Sequence, residues 1–433
     1  MPRSTGVRLT RALQHRNFRL FFAGQSVSLV GTWITRVATS WLIYRLTGSE
    51  LLLGIAGFCG QIPTLLITPF AGVLVDRVDR RRILVLTQAA SLVQSALLAA
   101  FTLSGRITVT HIIVLQVLQG IINAFDTPAR QAFVSEMVED RNDLPNAIAL
   151  NSSMVNGSRI IGPSVGGLLI AGFGEGWCFA IDAVSYLGVI ASLLAMRVTP
   201  RVIHGTADTH VLEELRDGAR YVRAHLPIRT MLILVAIVSG AGTPYAILMP
   251  AIAADVLHGG PNTLGLLMAA SGAGALTAAL HLASRESVLG LGRVMMWATL
   301  LFGAGLIGFS QMTSVWAAGA FLAMAGGGFM MQLAGANTFL QTIVEERLRG
   351  RVMSFYTMAF FGTVPIGSLI AGLVAERVGA STTVAISGAI CLAAGAWFAT
   401  RLPTIRALVR PVYIERGILA VPAMDDVGIN AAR

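Results

Sequence analysis

The chain has 433 residues, of which 55% are hydrophobic and only 12% are charged, about half the charged share of a soluble domain. All 32 of its basic residues are Arg, because the sequence contains no Lys, and the formal net charge is +10. In a soluble protein this charge would suggest nucleic acid as a partner, but here the Arg residues alternate with long apolar segments and need only anionic lipid. The composition therefore excludes an ordinary soluble domain and predicts no nucleic-acid partner.

Twelve apolar runs follow one another along the chain, each long enough for an α-helix to cross a lipid bilayer. They cover residues 18–45, 51–75, 83–103, 110–134, 146–173, 177–197, 228–254, 262–284, 291–311, 314–341, 352–376 and 381–401. The first run is longer than a signal peptide and contains Gln25 and Arg36, so we expect a retained helix. The predicted fold class is an all-α membrane protein with twelve transmembrane helices.

Arg is concentrated in every second loop. The basic loops contain Arg77, Arg80, Arg81, Arg82, Arg197, Arg201, Arg216, Arg220, Arg223, Arg229, Arg285, Arg293, Arg347, Arg349 and Arg351, whereas the alternate loops hold little more than Arg45, Arg106 and Arg377. An excess of basic residues in short loops marks the cytoplasmic face. The pattern predicts a multi-pass protein of the cell membrane, inner or plasma, with both termini in the cytoplasm.

The longest polar connection divides the chain into two halves. We predict a cytoplasmic arm at 1–17, a six-helix half at 18–197, a cytoplasmic linker at 198–227, a second six-helix half at 228–402 and a cytoplasmic tail at 403–433. Within the linker, Val211–His225 has the periodicity of an amphipathic helix lying on the membrane surface.

The halves resemble each other in sequence. Residues 133–141 read FVSEMVEDR and residues 339–347 read FLQTIVEER, an offset of 206 residues. A repeat after six spans makes the two halves parallel, related by an axis along the membrane normal. Two such halves with a site between them are typical of secondary transporters.

Three motifs carry a resemblance to a known family. GVLVDRVDRRR at 72–82 resembles the loop motif of the major facilitator superfamily, and GPSVGG at 162–167 resembles a helix-packing motif of its exporters, here Gly162, Pro163, Gly166 and Gly167. NFRLFFAGQ at 17–25 is similar to sequences of the branch of this superfamily that includes the enterobactin exporter and the transmembrane secretion effectors. The resemblance covers residues 10–402 and implies the twelve-helix facilitator fold.

The loop motif implies a conformational latch. By resemblance its members are Gly72, Asp76, Arg77, Arg80 and Arg81, together with Glu136 at the end of the fourth helix. Gly72 would allow close helix packing, and Asp76 would cap the N-terminus of the eleventh helix, where the helix dipole is positive. The resemblance also implies an Arg80–Glu136 ion pair. Asp79 departs from the motif, which has Gly at this position.

Polar residues form a stripe along the fourth helix. The stripe consists of residues spaced so that they share one face of the helix: Gln116, Gln119, Asn123, Asp126 and Arg130. Gln116 occupies the position at which the family often has a proton-handling Arg. In lipid such a stripe must face a water-filled cavity or another helix. The stripe is therefore a candidate site for protons or substrate.

Charges inside the spans are few and costly. Each of Arg36, Asp126, Arg130, Arg159 and Asp182 costs roughly 2.5–3.5 kcal/mol at a helix centre, so each is expected to have a partner or a function. Asp126 and Arg130 are four residues apart on one helix and could neutralise each other. The alternatives are a structural bridge from Asp126 to Arg159 and a role in which Asp126 titrates or contacts substrate. For Arg36 we expect substrate contact or an electrostatic role in the cavity, and for Asp182 a structural role.

The sequence predicts a secondary transporter rather than an enzyme. Histidines and carboxylates form no catalytic or metal-binding pattern, the three Cys residues are far apart, and no cofactor is expected. We predict export of a small organic molecule, siderophore-like or drug-like, by alternating access in exchange for protons, by a monomer. Alternatives are an uptake symporter and, of another class, a membrane-embedded sensor or a lipid-modifying enzyme. Stacking surfaces for a ligand could come from Trp33, Trp41, Tyr245 and Phe329.

Overall fold

The computed structural model describes residues 11–197, 211–285 and 287–419, and the side chains of Val73, Asp76 and residues 211–215 lie outside that description. The predicted arm, linker and tail therefore fall partly outside the described residues. Within them the first six passes are α1 (Arg16–Thr47), α2 (Glu50–Arg77), α3 (Arg80–Leu103), α4 (Val109–Phe133), α5 (Leu144–Phe173) and α6 (Glu175–Ala195). Each lies within a few residues of a predicted span.

The second six passes follow a surface helix, α7 (Val211–Ala224), which matches the predicted amphipathic helix. They are formed by α8 (Leu226–Ile237) with α9 (Tyr245–Ala251), α10 (Pro261–Ala283), α11 (Leu291–Ser310), α12 (Val315–Ile343), α13 (Arg349–Phe361) with α14 (Thr363–Val378), and α15 (Ala380–Glu415). The result is the predicted all-α membrane architecture.

Two passes are interrupted where the sequence predicts single helices. The seventh contains a π-helical turn at Val238–Gly242 between α8 and α9. The eleventh breaks at Gly362, between α13 and α14. Pro365 explains this second break, because proline has no N–H to donate to the carbonyl of Phe361 four residues earlier.

Ten helical passes in the described part of the chain are long and apolar enough to cross a membrane. The remaining two, α1 and α5, contain 32 and 30 residues and are sufficiently long, but they carry more polar side chains. Both contact helices on several sides, since α1 packs on α5 and α6, and α5 packs on α10. Burial against protein explains how these polar helices fit a membrane bundle.

The last helix is longer than predicted. It continues from the expected end near residue 401 to Glu415, and Ile405, Val409 and Tyr413 are buried along this extension. The last helix therefore extends into the predicted tail (403–433), because apolar residues recur at helical spacing beyond the membrane-spanning run.

Glycines bring the two halves together at the end of the bundle that carries the loops with few Arg residues, called here the opposite end. A Cβ atom on Gly54 of α2 would lie 2.9 Å from the Cα of Gly372 in α14. On the other side of the bundle, a Cβ on Gly167 of α5 would lie 3.1 Å from the Cα of Gly265 in α10. Such contacts exclude any larger residue, so two glycine pairs determine how closely the halves approach.

The halves diverge toward the other end, called the basic end because it carries the Arg-rich loops. Contacts along α2 continue to Leu65, whose Cδ1 would lie 3.5 Å from a Cβ on Gly362. Beyond this point a Cβ on Gly72, or on Gly157 of α5, would meet no described atom within 4 Å. The space between the halves is thus closed at the opposite end and open at the basic end.

The glycine contact between α5 and α10 can be tested by a substitution with a matched control. Gly167→Ile should wedge the halves apart at the opposite end, at a cost of about 1–3 kcal/mol for overpacking. Hydrogen–deuterium exchange of residues 261–270 should increase as the contact opens. Gly172→Ile is the control, because a Cβ there meets no described atom within 4 Å. Equal exchange in both variants would contradict the proposed closure.

Candidate functional site

Two Arg residues approach one Trp ring at the middle of the bundle. The Cζ atom of Arg36 in α1 lies 4.5 Å from the centroid of the Trp33 ring, and the Cζ atom of Arg159 in α5 lies 5.8 Å from it. Neither Arg makes an ion pair or a hydrogen bond with any described residue, and the Arg36 side chain is exposed although it lies mid-helix. A cation–π contact contributes at most about 2 kcal/mol, so it does not neutralise two charges. The site therefore has uncompensated positive charge.

The exporter-like motif holds these two helices together. A Cβ on Gly162 of α5 would overlap the Cβ of Trp33, and one on Gly166 would lie 3.2 Å from the Cα of Ile34. Pro163 is buried beside them, and the third glycine, Gly167, faces the second half as described above. The motif thus positions Arg159 against Trp33 and also forms part of the interface between the halves.

The stripe on α4 is distributed among its neighbours. Gln116 lies against Gly60 of α2, 3.8 Å from where a Cβ would stand. Gln119 donates to the Oδ1 of Asn123 at 3.1 Å and to Ser91 of α3 at 3.4 Å. The side chains of Gln116, Gln119 and Asn123 are half-buried. They link α4 to α2 and α3, and no described contact joins them to Arg36 or Arg159.

Asp126 is paired with Arg130, one of the two Arg partners that the sequence suggested, and not with Arg159. Its carboxylate accepts from Thr87 at 3.0 Å and from Gln88 at 2.8 Å, both on α3, and lies 3.4 Å from the Nε of Arg130. The expected Asp126–Arg159 bridge is therefore wrong in this structure. Arg130 lies one turn away on the same helix and already neutralises the carboxylate, whereas Arg159 faces Trp33.

Asp182 is the most deeply buried carboxylate among the described side chains of this half. It is 1% exposed, and its Oδ2 accepts from Thr35 of α1 and Ser95 of α3, both at 2.9 Å. No described residue donates to its Oδ1 or forms an ion pair with it. The structural role expected for Asp182 does not explain why its Oδ1 has no hydrogen-bond donor among the described residues.

Two of the expected stacking residues are not available to a ligand in this conformation. Tyr245 and Phe329 are each 8% exposed and pack with Phe302 inside the second half. Tyr245 also makes a 2.8 Å hydrogen bond with Ser271. Trp33 and Trp41 are half-buried and remain candidates.

The loop motif forms a network at the basic end. Arg80 makes the ion pair with Glu136 that the resemblance implied, at 2.5 Å. Arg81 donates to the carbonyls of Leu193 and Leu194 at the end of α6, at 2.7 and 2.9 Å. These contacts tie α3 to the ends of α4 and α6 within the first half.

Other members of the loop motif behave differently. Asp79, the departure from the family pattern, accepts from the backbone N–H of Arg81 at 2.9 Å and caps α3. Arg77 is exposed. The close approach expected at Gly72 does not occur in this conformation, because the halves are apart at the basic end. The side chain of Asp76 lies outside the described residues.

Sequence reasoning missed a set of polar contacts at the opposite end. Glu376 of α14 accepts from the hydroxyl of Ser49 and from the backbone N–H of Leu51, both at 3.1 Å, and so caps the N-terminus of α2. Tyr44 of α1 donates to Asp255, which follows α9. Both contacts join one half to the other. They carry no local sequence signal, because partners such as Ser49 and Glu376 are 327 residues apart.

Comparison with known families identifies this architecture. The family described as transmembrane secretion effector matches residues 10–414. The chain belongs to this family of the major facilitator superfamily. The transporter is thus a multi-pass membrane protein, and its family consists of transporters rather than enzymes.

The transporter is similar to several characterised relatives. It is 27% identical to the staphyloferrin A transporter of Staphylococcus aureus over 88% of this chain and 96% of that protein. It is 27% identical to the multidrug efflux pump Tap of Mycolicibacterium fortuitum over 82% and 88% of the two chains. It is 25% identical to macrolide efflux protein A of Streptococcus pyogenes over 88% and 96%. These relatives handle chemically different molecules.

Solved structures share the fold. The nucleoside transporter NupG superposes with a TM-score of 0.67 at 14% identity, covering 90% of this chain and 98% of its own. A bacterial homologue of the iron transporter ferroportin, solved in its inward-facing state, has a TM-score of 0.65 at 16% identity and covers 89% and 98%. At this identity the likeness shows the facilitator fold alone.

The pairing of Asp126 makes a stability prediction. Asp126→Ala should lower the melting temperature of the purified transporter, because it removes the acceptor for Thr87 and Gln88 and leaves Arg130 uncompensated, a loss of about 1–3 kcal/mol. Arg159→Gln should leave the melting temperature nearly unchanged, since Arg159 makes no ion pair among the described residues. A large loss of stability for Arg159→Gln, rescued in combination with Asp126→Asn, would restore the rejected bridge.

Proposed function

We propose that this transporter exports a small organic molecule by alternating access, in exchange for protons. The observation that carries the proposal is the pair of guanidinium groups of Arg36 and Arg159 between the halves, without an acidic partner among the described residues. Charged side chains at mid-membrane depth usually face a water-filled cavity, where they mark the pathway of a substrate or an ion. The efflux proteins among the relatives support the direction of transport.

The charge of the site favours an anionic substrate. Arg130 is neutralised by Asp126, so Arg36 and Arg159 set the sign of the charge around Trp33. Guanidinium groups bind carboxylates and similar planar anions in a bidentate way, and Trp33 offers an aromatic surface. A carboxylate- or catechol-bearing molecule, as in siderophores, fits this chemistry better than a lipophilic cation.

The contacts between the halves at the opposite end support an alternating mechanism. At the opposite end Glu376 caps the N-terminus of α2 and Tyr44 donates to Asp255 while that end is closed. In the state open at the opposite end, these contacts break and Asp76 caps the N-terminus of α13. Each capped helix end gives about 0.3–2 kcal/mol, enough to bias two states without locking either. A carboxylate of one half would thus close each end in turn.

We place both termini, the linker and the basic end in the cytoplasm of a bacterial cell, with the transporter in its inner or plasma membrane. The Arg-rich loops support this orientation. The halves 18–197 and 228–402 act as the two moving units, connected by the linker 198–227. A monomer suffices, because the described helices supply the site from their own chain.

A thermal-shift experiment tests the substrate class. We expect 2,3-dihydroxybenzoate or citrate to raise the melting temperature of the purified transporter, and a cationic macrolide to have little effect. A ligand at one hundred times its Kd stabilises by about 2.7 kcal/mol. Arg36→Gln should abolish the shift, whereas Arg106→Gln, in a loop at the opposite end, should retain it. Stabilisation by the macrolide alone, unaffected by Arg36→Gln, would refute an anion site.

Reporter fusions test the orientation. Reporters fused after residues 80, 210 and 350 should be active in the cytoplasm, and those after 48, 106 and 258 outside it. Activity outside the cytoplasm at residue 210 would contradict the proposed arrangement of six plus six spans.

A further inference from the structure

Asp182 lies where three helices of the first half meet. It belongs to α6, and its hydrogen-bond donors Thr35 and Ser95 belong to α1 and α3. Gly31 of α1 makes room for it, since a Cβ there would lie 2.7 Å from the Asp182 Oδ1. A carboxylate this deeply enclosed by helices must either be neutral or have its charge balanced.

The surroundings do not balance a negative charge. On the helices that pack against α6, the described basic groups in mid-membrane are Arg36 of α1 and Arg159 of α5, and both approach Trp33 instead. The charged residues of α3, Arg80, Arg81 and Arg82, lie at the basic end. On α6 itself the titratable neighbours are Cys178 and Tyr186, which supply no positive charge, and Glu175, which is paired with Arg45 of α1. Among the described residues Asp182 has no ion-pair partner.

The hydrogen bonds accommodate both protonation states. The single hydroxyl proton of Ser95 has two acceptors within reach, the Asp182 Oδ2 at 2.9 Å and the Gln94 Oε1 at 3.2 Å. When Asp182 is ionised, Ser95 donates to it. When Asp182 is protonated, its O–H donates to Ser95, and Ser95 donates to Gln94 instead. The proton can therefore be gained or lost without moving these heavy atoms.

We propose that Asp182 binds the proton that the transporter exchanges for its substrate, with Ser95 and Gln94 adjusting their hydrogen bonds to its charge. The proposal rests on the proton-coupled export proposed above. Asp126, the carboxylate favoured by the sequence, is less suited because Arg130 and two donors from α3 already stabilise its charge.

The two proposed sites meet on one helix. Thr35, which donates to Asp182, is followed directly by Arg36 of the anion site. A movement of α1 when substrate binds or leaves Arg36 would change the distance from Thr35 to Asp182. Losing a hydrogen-bond donor destabilises the ionised carboxylate of Asp182, and gaining a donor stabilises it. This connection gives a physical route by which substrate and proton affect each other.

Infrared difference spectroscopy of the purified full-length transporter tests the assignment without a substrate. Between acidic and alkaline buffers we expect one component of the protonated-carboxyl absorption to be lost in Asp182→Asn and to persist in Asp126→Asn, while the other carboxyl groups of the chain titrate alike in all variants. Carboxyl absorption that titrates identically in wild type and Asp182→Asn, or loss of that component in Asp126→Asn, would overturn the proposal.

A second variant covers the case in which Asp182→Asn does not fold. Thr35→Val keeps the shape of the side chain but removes a donor to the ionised carboxylate, so the midpoint of the band should rise by roughly one pH unit. An unchanged midpoint would refute the assignment to Asp182. Thr47→Val at the end of α1 is the control, because its hydroxyl donates to the carbonyl of Ile43 and accepts from the backbone N–H of Ser49, away from Asp182.

Transport measurements separate this inference from the proposed function. If a pH gradient drives transport and the infrared band is insensitive to Asp182→Asn, only the proton site is wrong. If the Asp182 band titrates but wild-type transport ignores the pH gradient, the proton-coupled function is wrong, and the exchange role of Asp182 is rejected with it.

Discussion

The structure depends on one constraint, that polar groups surrounded by hydrocarbon must find partners or face water. In the first half most of them find partners on a neighbouring helix. Asp126 is held by Thr87, Gln88 and Arg130, and Gln119 binds Asn123 and Ser91. Among the charged side chains described within these spans, the exceptions lie around α1. The guanidinium groups of Arg36 and Arg159 and one oxygen of Asp182 have no polar partner among the described residues, and these exceptions define the candidate site.

Close packing by glycine and capping by carboxylates complement each other between the halves. The pairs Gly54–Gly372 and Gly167–Gly265 allow backbones to meet at the opposite end, where Glu376 also caps α2. Dispersion forces between such surfaces act only at contact and are lost after a small separation. The contacts between the halves at the opposite end are therefore either made or lost, with few intermediate states, as alternating access requires.

Sequence alone predicted the membrane spans well, because twenty apolar residues in a row have few other folds available. It also indicated the Arg80–Glu136 pair, through resemblance to a family motif. It failed where the outcome depends on which way a side chain points. Asp126 has Arg130 and Arg159 at plausible distances along the chain, and only the packing of α5 on Trp33 decides between them. The contact of Ser49 with Glu376 and the extension of α15 to Glu415 depend on tertiary packing in the same way.

The central claim is that proton movement drives export from an anion site between the halves. The most direct measurement uses inside-out membrane vesicles, whose outer surface is the cytoplasmic face, and the anionic ligand that stabilises the purified protein most. With an acidic vesicle interior the ligand should accumulate inside, and a protonophore should abolish the accumulation. Accumulation that persists with the protonophore, or that requires an alkaline interior, would contradict the account.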